Sequence, residues 1–248
     1  MRLATFNILN GRTPGEDHVD VDRYADAIAA LDADVLGLQE VDREQPRSQR
    51  ADLTAIAAEA MGATHHRFVP ALHGTPPSWS AAADDDPEVP AYGVALLSRH
   101  PVTRWDVLRL PAAPTRLPHP VPGRLLPVWV RDEPRVAVVA HLETPLGPLQ
   151  VVVTHLSFLR PSNRVQLRRL VRGLDRRRPT VLMGDLNLGP DPVARLTGLL
   201  PLASGATFPS DRPVEQLDHV LASPGIGPAR GSVVHLPVSD HRALVADL

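Results

Sequence analysis

Residues 181–190 read VLMGDLNLGP. Three apolar residues, Val181, Leu182 and Met183, stop at Gly184, and two polar groups, Asp185 and Asn187, follow. A buried strand alternates its side chains with a period of two. Carried through this stretch, a strand puts Asp185 and Asn187 on one face. A carboxylate and a carboxamide side by side at the end of a core strand are costly unless they bind something. Two oxygen-bearing groups so placed suit a hard divalent cation or a phosphoryl group.

Working outward, the chain alternates apolar runs with a few helical patterns. RLATFNIL (2–9) and DVLGLQEV (34–41) read as buried strands. Between them, residues 20–33 carry apolar groups at Val21, Tyr24, Ala25 and Ile28, the spacing of an amphipathic helix. A second helix is predicted from Ala51 to Met61, ended by Gly62, and a third from Pro161 to Leu174. A short helix is expected over 192–199. Further strands are predicted in HRFVPAL, GVALLSRHPV, RWDVLRL, RVAVVAHLE and PLQVVVTHLS, the last two joined by the turn TPLGP as a hairpin. LDHVLAS, SVVHLPV and ALVADL close the chain as strands. Residues 70–90 and 111–127 are rich in Pro and small residues and read as long loops. No linker divides the chain, so residues 1–248 are expected to form a single α/β domain of two packed sheets with helices outside.

Composition narrows the function. With 43% hydrophobic and 22% charged residues the chain can build a substantial core. It has no cysteine, which excludes disulfides, zinc-thiolate sites and thiol catalysis. No apolar run approaches the ~18–20 residues that span a bilayer, so no membrane anchor is expected. Asn7, Asn10, Gly11 and Arg12 interrupt any signal-peptide core, and the expected location is cytoplasmic. Every basic residue is Arg, and the net charge is −2. That balance argues against a broad basic face coating nucleic acid.

Six polar clusters adjoin strand-like runs: Asn7, Glu40, His155, Asp185 with Asn187, Asp218, and Asp240 with His241. Singly, each has an ordinary structural role. Asn7 is a common turn residue, Glu40 a solvated strand end, His155 a hydrogen-bonded structural histidine. Asp218 with His219 reads as a strand-edge pair, and Ser239-Asp240-His241 as a loop cap. Together they supply carboxylates and amides for one or two Mg²⁺ ions, and two histidines for proton transfer or phosphate binding. Phosphoester hydrolysis needs these parts. The sequence holds no Gly-rich phosphate loop, no Gly-x-Ser-x-Gly elbow and no nicotinamide fingerprint.

The segments ATFNILNGR, ADVLGLQEVDR, YGVALLSRHPV, VVVTHLS, VLMGDLNLGP, QLDHVLAS and VSDHRALVADL occur in an order that resembles the endonuclease/exonuclease/phosphatase superfamily almost end to end. Deoxyribonuclease I, abasic-site exonucleases, inositol polyphosphate 5-phosphatases and neutral sphingomyelinases are its members. The resemblance implies a four-layer α/β sandwich, two central mixed β-sheets flanked by helices, and a Mg²⁺-dependent phosphoesterase, with Mn²⁺ as an alternative ion. By the same resemblance Glu40 is the principal metal ligand, with Asn7 and Asp240 beside it. Asp185 orients or deprotonates the attacking water, and Asn187 helps to hold phosphate and water. His241 binds phosphate, Asp218 fixes its tautomer, and His155 is the candidate acid for the leaving oxygen. In some relatives a carboxylate from an earlier strand orients the counterpart of His155, and YGVALLS offers none.

The substrate is a phosphorylated one, either nucleic acid or a small phosphoester, and no obligate protein partner is implied. Single-strand nucleic-acid binders use aromatic platforms, whereas this chain is 4% aromatic. Trp79 could stack a base or close a small apolar core. Arg168, Arg169, Arg172 and Arg176 to Arg178 read as a solvated outer helix face. A different class, a non-catalytic scaffold retaining the fold, is the alternative. A long positive groove beside Asp185 would favour a polymer, and a pocket closed by residues 70–90 and 111–127 a small substrate.

Overall fold

The apolar runs pair into two large sheets, seen in a computed structural model that describes residues 1–248 except 122 and 125. The chain begins β1 (Arg2–Asn7), α1 (Val21–Leu31), β2 (Val35–Arg43), α2 (Leu53–Met61), β3 (His65–Thr75), β4 (Ser78–Ala81) and β5 (Ala91–Ser98). It continues with β6 (Val102–Leu110), β7 (Leu117–His119), β8 (Val128–Val130), β9 (Arg135–Thr144) and β10 (Gly147–His155). The last part holds α3 (Ser162–Gly173), β11 (Thr180–Asp185), α4 (Pro190–Thr197), β12 (Leu200–Ala203), β13 (Asp218–Ala222), β14 (Arg230–Val234) and β15 (Ala243–Asp247).

One sheet has the order β14-β15-β1-β2-β5-β3-β4 and the other β12-β13-β11-β10-β9-β6. Both are mixed: β1 and β2 run parallel, as do β10 and β11, and both strands of each pair have antiparallel neighbours. Leu3, Val35, Val94 and Leu96 of the first sheet meet Val138, Val151, Val153 and Met183 of the second. Their alternate neighbours face outward. Leu36 and Leu38 pack under Tyr24 and Ile28 of α1 and Leu53 of α2, while Val152 and Leu182 pack under Leu167 and Leu170 of α3 and Val193 of α4. The result is four layers, helix, sheet, sheet, helix. Each fully buried aliphatic side chain contributes about 1.5–3 kcal/mol.

Local chemistry sets the helix ends. The Asp20 carboxylate accepts from Arg23 N at 3.0 Å and that of Asp52 from Thr54 N at 2.9 Å, capping α1 and α2. Gly62 ends α2 in the left-handed conformation, at φ 68°. Among the described residues no helix is long and apolar enough to cross a membrane.

Three expectations are corrected. Residues 70–90 are not one loop: β3 extends to Thr75 and turns back into β4, pairing Thr75 with Ser78 and Gly74 with Trp79. Burial of Trp79 against Tyr92, ring centroids 5.7 Å apart, favours this hairpin over an open loop. Within 111–127, Leu117–His119 pairs with Val128–Val130 as a small separate ladder, while residues 122 and 125 lie outside the described residues. The run GVALLSRHPV is two strands, because the chain turns at Ser98, whose hydroxyl accepts from His100 N at 2.9 Å, and Pro101 has no N–H for a ladder.

Gly184 is the point where the second sheet tolerates only glycine. Its φ is +144°, and a Cβ there would lie 1.9 Å from the Thr154 carbonyl oxygen on β10. Gly184→Ala should therefore lower the unfolding free energy by on the order of 3 kcal/mol. Denaturant unfolding checks this; an unchanged midpoint would contradict the close approach.

Candidate active site

β11 ends at Asp185, and the chain turns before Asn187. Asn187 adopts φ 50°, and its N–H donates to Asp185 Oδ1 at 3.0 Å. The two polar groups thus converge through a side-chain-stabilised turn, not through strand alternation as the spacing suggested. Asn187 is held from two more directions. Its Nδ2 donates to Leu156 O at 3.0 Å, and its carbonyl accepts from Asn163 Nδ2 at 2.9 Å.

The second oxygen of Asp185 collects donors from both sheets. Asn7, the last residue of β1, donates from Nδ2 to Asp185 Oδ2 at 3.0 Å and to Glu40 Oε1 at 3.2 Å. The Asn7 amide oxygen accepts from Leu9 N at 3.2 Å, so the turn role and the site role coexist in one side chain. His155 Nε2 and His241 Nε2 lie 3.5 and 3.8 Å from the same carboxylate oxygen. Glu40 reaches the cluster through a bulge. Pairing of β2 with β5 passes from Leu38–Ala95 to Val41–Gly93, leaving Gln39 and Glu40 opposite Val94 alone. The extra residue twists the strand, and Glu40 takes φ 57°.

Burial governs the electrostatics. Asp185 is 2% exposed and Asp218 fully buried. Burial, with the Asp218 charge added, pushes the Asp185 carboxyl up to about 7. Burial alone would lower His241, but its Nδ1 lies 2.8 Å from Asp218 Oδ2, and that carboxylate raises the imidazole to about 10. His241 is thus an imidazolium at neutral pH. Glu40 is raised chiefly by burial, with Asp240 adding to the rise and the Asn7 hydrogen bond and Arg135 opposing it.

Asp185, Asp218 and His241 also form a group whose potential ligand atoms lie within 4.8 Å of one another. Within it His241 Nδ1 and Asp218 Oδ2 share a proton at 2.8 Å, so that pair is already satisfied, while His241 Nε2 stands 3.8 Å from Asp185 Oδ2.

All eight residues singled out in the sequence gather here. Asn7, Glu40, His155, Asp185, Asn187, Asp218 and His241 are joined by the contacts above, and Asp240 is close enough for its charge to act on Glu40 and His241. Sequence reasoning missed Arg135. Where a carboxylate was sought for His155, a buried guanidinium stands: Arg135 Nη1 is 3.3 Å from His155 Nδ1, and Nη2 is 3.3 Å from Glu133 Oε2. Its only signal is a charge at the head of the apolar run RVAVVA. Tyr92 is buried beside Glu40 and Arg135, its hydroxyl raised by burial and by the Glu40 charge. The Arg47 guanidinium lies 5.6 Å from both the Trp79 and Tyr92 rings.

A hollow of about 620 Å³ lies on the Tyr92 and Arg135 side of the cluster, walled by Trp79, Ser80, Thr115, Arg116, Arg131 and Glu133 among others. None of the eight site residues lines it; the hollow is linked to them through second residues, Trp79 packing on Tyr92 and Glu133 pairing with Arg135. Asp132, also in the wall, is buried. It accepts from Ser157 Oγ at 2.6 Å, Ala113 N at 2.8 Å and the Ser162 hydroxyl. Arg168, Arg169 and Arg172 of α3 are exposed, and Arg169 shares the wall of a second hollow, about 440 Å³, with Arg109 and Arg135.

The model of the endonuclease/exonuclease/phosphatase family matches residues 4–241. Among solved structures, an endonuclease/exonuclease/phosphatase from Beutenbergia cavernae is 24% identical, with 99% of this chain and 70% of that chain covered, at a TM-score of 0.69. A family protein from Leptotrichia buccalis is 14% identical over 100% of this chain and 99% of its own, at 0.70. The mannosyl-6-phosphatase of Bacteroides thetaiotaomicron is 15% identical over 100% and 98%, at 0.60. These likenesses identify the four-layer sandwich as the deoxyribonuclease I-like fold. No curated protein sequence matches.

The His241–Asp218 pair makes stability depend on pH. The folded pKa of about 10 lies above the ordinary histidine value of ~6.5. The stabilisation is therefore complete below pH ~6.5 and is lost as pH rises through about 10. Asp218→Asn, in metal-free protein, should cost about 3 kcal/mol at pH 6, and its gap from wild type should narrow towards pH 10. Urea unfolding at both pH values measures this; a gap that widens would contradict the assignment.

Proposed function

Because the chain belongs to the endonuclease/exonuclease/phosphatase family, we propose that it is a divalent-metal-dependent phosphoester hydrolase acting on a small phosphorylated molecule. The observation that carries this reading is the convergence of Asn7, Asn187, His155 and His241 on one buried Asp185 carboxylate beside a walled hollow.

The donor set fits a hard cation. The Asp240 charge adds to the cost of ionising the buried Glu40, and the nearby fixed charge of Arg135 is engaged with His155 and Glu133. Glu40 and Asp240 would hold Mg²⁺ or Mn²⁺, with the remaining lone pair of Asn7 Oδ1 as a further oxygen donor. Bound there, the ion supplies neutralisation of phosphoryl charge.

The protein's own groups do the rest. Asp185 takes a proton from water as the water oxygen bonds to phosphorus; a carboxyl poised at about 7 suits a base at neutral pH. The phosphorus–oxygen bond to the leaving group breaks, and the departing oxygen takes a proton from solvent. His241, charged and oriented by Asp218, donates from Nε2 to a phosphoryl oxygen. The hollow between the β3–β4 hairpin and residues 112–116 and 131–134 supports a substrate of limited size.

The test pairs phosphate release from a panel of sugar phosphates and nucleotides with nicking of supercoiled plasmid, each with Mg²⁺ and with chelator. Chelator-sensitive release without nicking is expected. Nicking would shift the substrate to nucleic acid, and inertness on every substrate would favour a scaffold. Asp185→Ala should keep the fold and lower kcat by a factor on the order of 10² or more; a fully active variant removes Asp185 from the chemistry. Trp79→Ala should raise KM about tenfold, a loss of roughly 1.4 kcal/mol, with kcat largely kept.

A further inference from the structure

His155 sits between two donors. On one side Arg135 Nη1 is 3.3 Å from Nδ1. On the other, Asn187 Nδ2 is 3.3 Å from Nε2, while that same amide nitrogen donates to Leu156 O at 3.0 Å. An arginine is protonated at every accessible pH and has no acceptor. Its contact with Nδ1 is a hydrogen bond only if Nδ1 offers a lone pair. The imidazole proton then resides on Nε2, which faces Asp185 Oδ2 at 3.5 Å. A charged His155 would set an N–H against the guanidinium in a site where both residues are 5% exposed.

We propose that Arg135 is a positioning residue that keeps His155 uncharged with its proton on Nε2, so that His155 serves the phosphoryl group as a fixed hydrogen-bond donor and not as the acid that protonates the leaving oxygen. The inference rests on the hydrolase reading for the word phosphoryl, but the protonation state is a property of the protein by itself.

The second N–H of Asn187 competes for Nε2 at 3.3 Å, but the Arg135 cation is the stronger donor and sets the tautomer; the remaining surroundings agree. From β9 comes the Arg135 cation, and from the segment before it Glu133, which faces Arg135 and not the imidazole. From β11 comes Asp185, and from the loop before β15 the charged ring of His241. Behind Arg135 stand Tyr92 of β5 and Glu40 of β2, both of which interact with the guanidinium. Burial first, then the charges of Arg135 and His241, hold His155 well below the usual histidine range. A carboxylate in place of Arg135 would accept from Nδ1–H and favour the imidazolium, the state a proton donor needs. The chain has the opposite charge there. His241 with Asp218 retains the acid-type arrangement, so in two equally buried histidines of one site the neighbour of each, a cation for His155 and an anion for His241, accounts for the difference.

The experiment is long-range ¹H–¹⁵N correlation on metal-free protein labelled at histidine, with His155 assigned through His155→Gln. The expected spectrum shows His155 protonated at Nε2 and bare at Nδ1 from about pH 5 to pH 8. A proton on Nδ1, or conversion to imidazolium near pH ~6.5, overturns the proposal. Arg135→Met should raise the His155 pKa and let the proton move to Nδ1, with burial still holding it below the ordinary range, and Arg135→Lys, which keeps a cationic donor, should do neither. If Arg135→Met does not fold, the wild-type and Arg135→Lys spectra decide. Under turnover, His155→Gln, which retains an N–H near the Nε2 position, should lose about tenfold in kcat. A loss of ~10² or more, the scale of a removed acid, would oppose the proposal. A protein inert on every phosphoester would refute the hydrolase reading and leave the spectra standing.

Discussion

One hydrogen bond ties the two sheets together at the level of the chemistry, Asn7 Nδ2 to Asp185 Oδ2 at 3.0 Å. Asn7 closes β1 in the first sheet and Asp185 closes β11 in the second. A carboxylate this buried must find donors inside the protein. It finds them on β1, on the turn after β11, at the end of β10 and in the loop before β15. None of these segments holds more than one of the donors. The site therefore comes into being only when the sheets have stacked, and the apolar layer between them is what brings the polar groups within reach.

Three residues in or beside this cluster have irregular backbone. Glu40, Asn187 and Ser239 are non-glycine residues with φ of 57°, 50° and 73°. Such conformations cost of order 1–3 kcal/mol for most side chains, less for asparagine. Ser239 is held by its hydroxyl, which donates to Asn7 O at 2.5 Å and accepts from His241 N at 3.0 Å. Regular strands deliver the chain to the rim of the sandwich, and irregular residues aim the side chains across it. Three apolar layers offset that local cost.

The apolar strands and amphipathic helices were legible because their periodicity is strong. VLMGD, QVVVTH and RVAVVA each alternate between two buried faces. β4 was not legible, since SWSA carries a single large side chain and lies among prolines. Of the site, the residues next to strong strands could be read from the chain itself or from its family likeness. Arg135 could not, because a strand-initial arginine is ordinary in sequence and acquires meaning only from His155 standing 3.3 Å away, twenty residues on. The turn geometry of Asn187 escaped for a related reason: Asp-x-Asn is compatible with alternation and with a side-chain-capped turn, and only the dihedral angle separates them.

Asp132 binds the wall of the hollow to the segment that follows β10. Its carboxylate grips Ala113 on one side and Ser157 and Ser162 on the other. The next residue, Asn163, fixes the carbonyl of Asn187. The wall of the hollow and the turn that carries Asn187 are thus fastened by one anion. The wall and the polar cluster are not separable modules. A lineage that exchanged residues 111–131 for a different wall would have to carry a matching contact for Asp132, or disturb Asn187 while acquiring its new substrate.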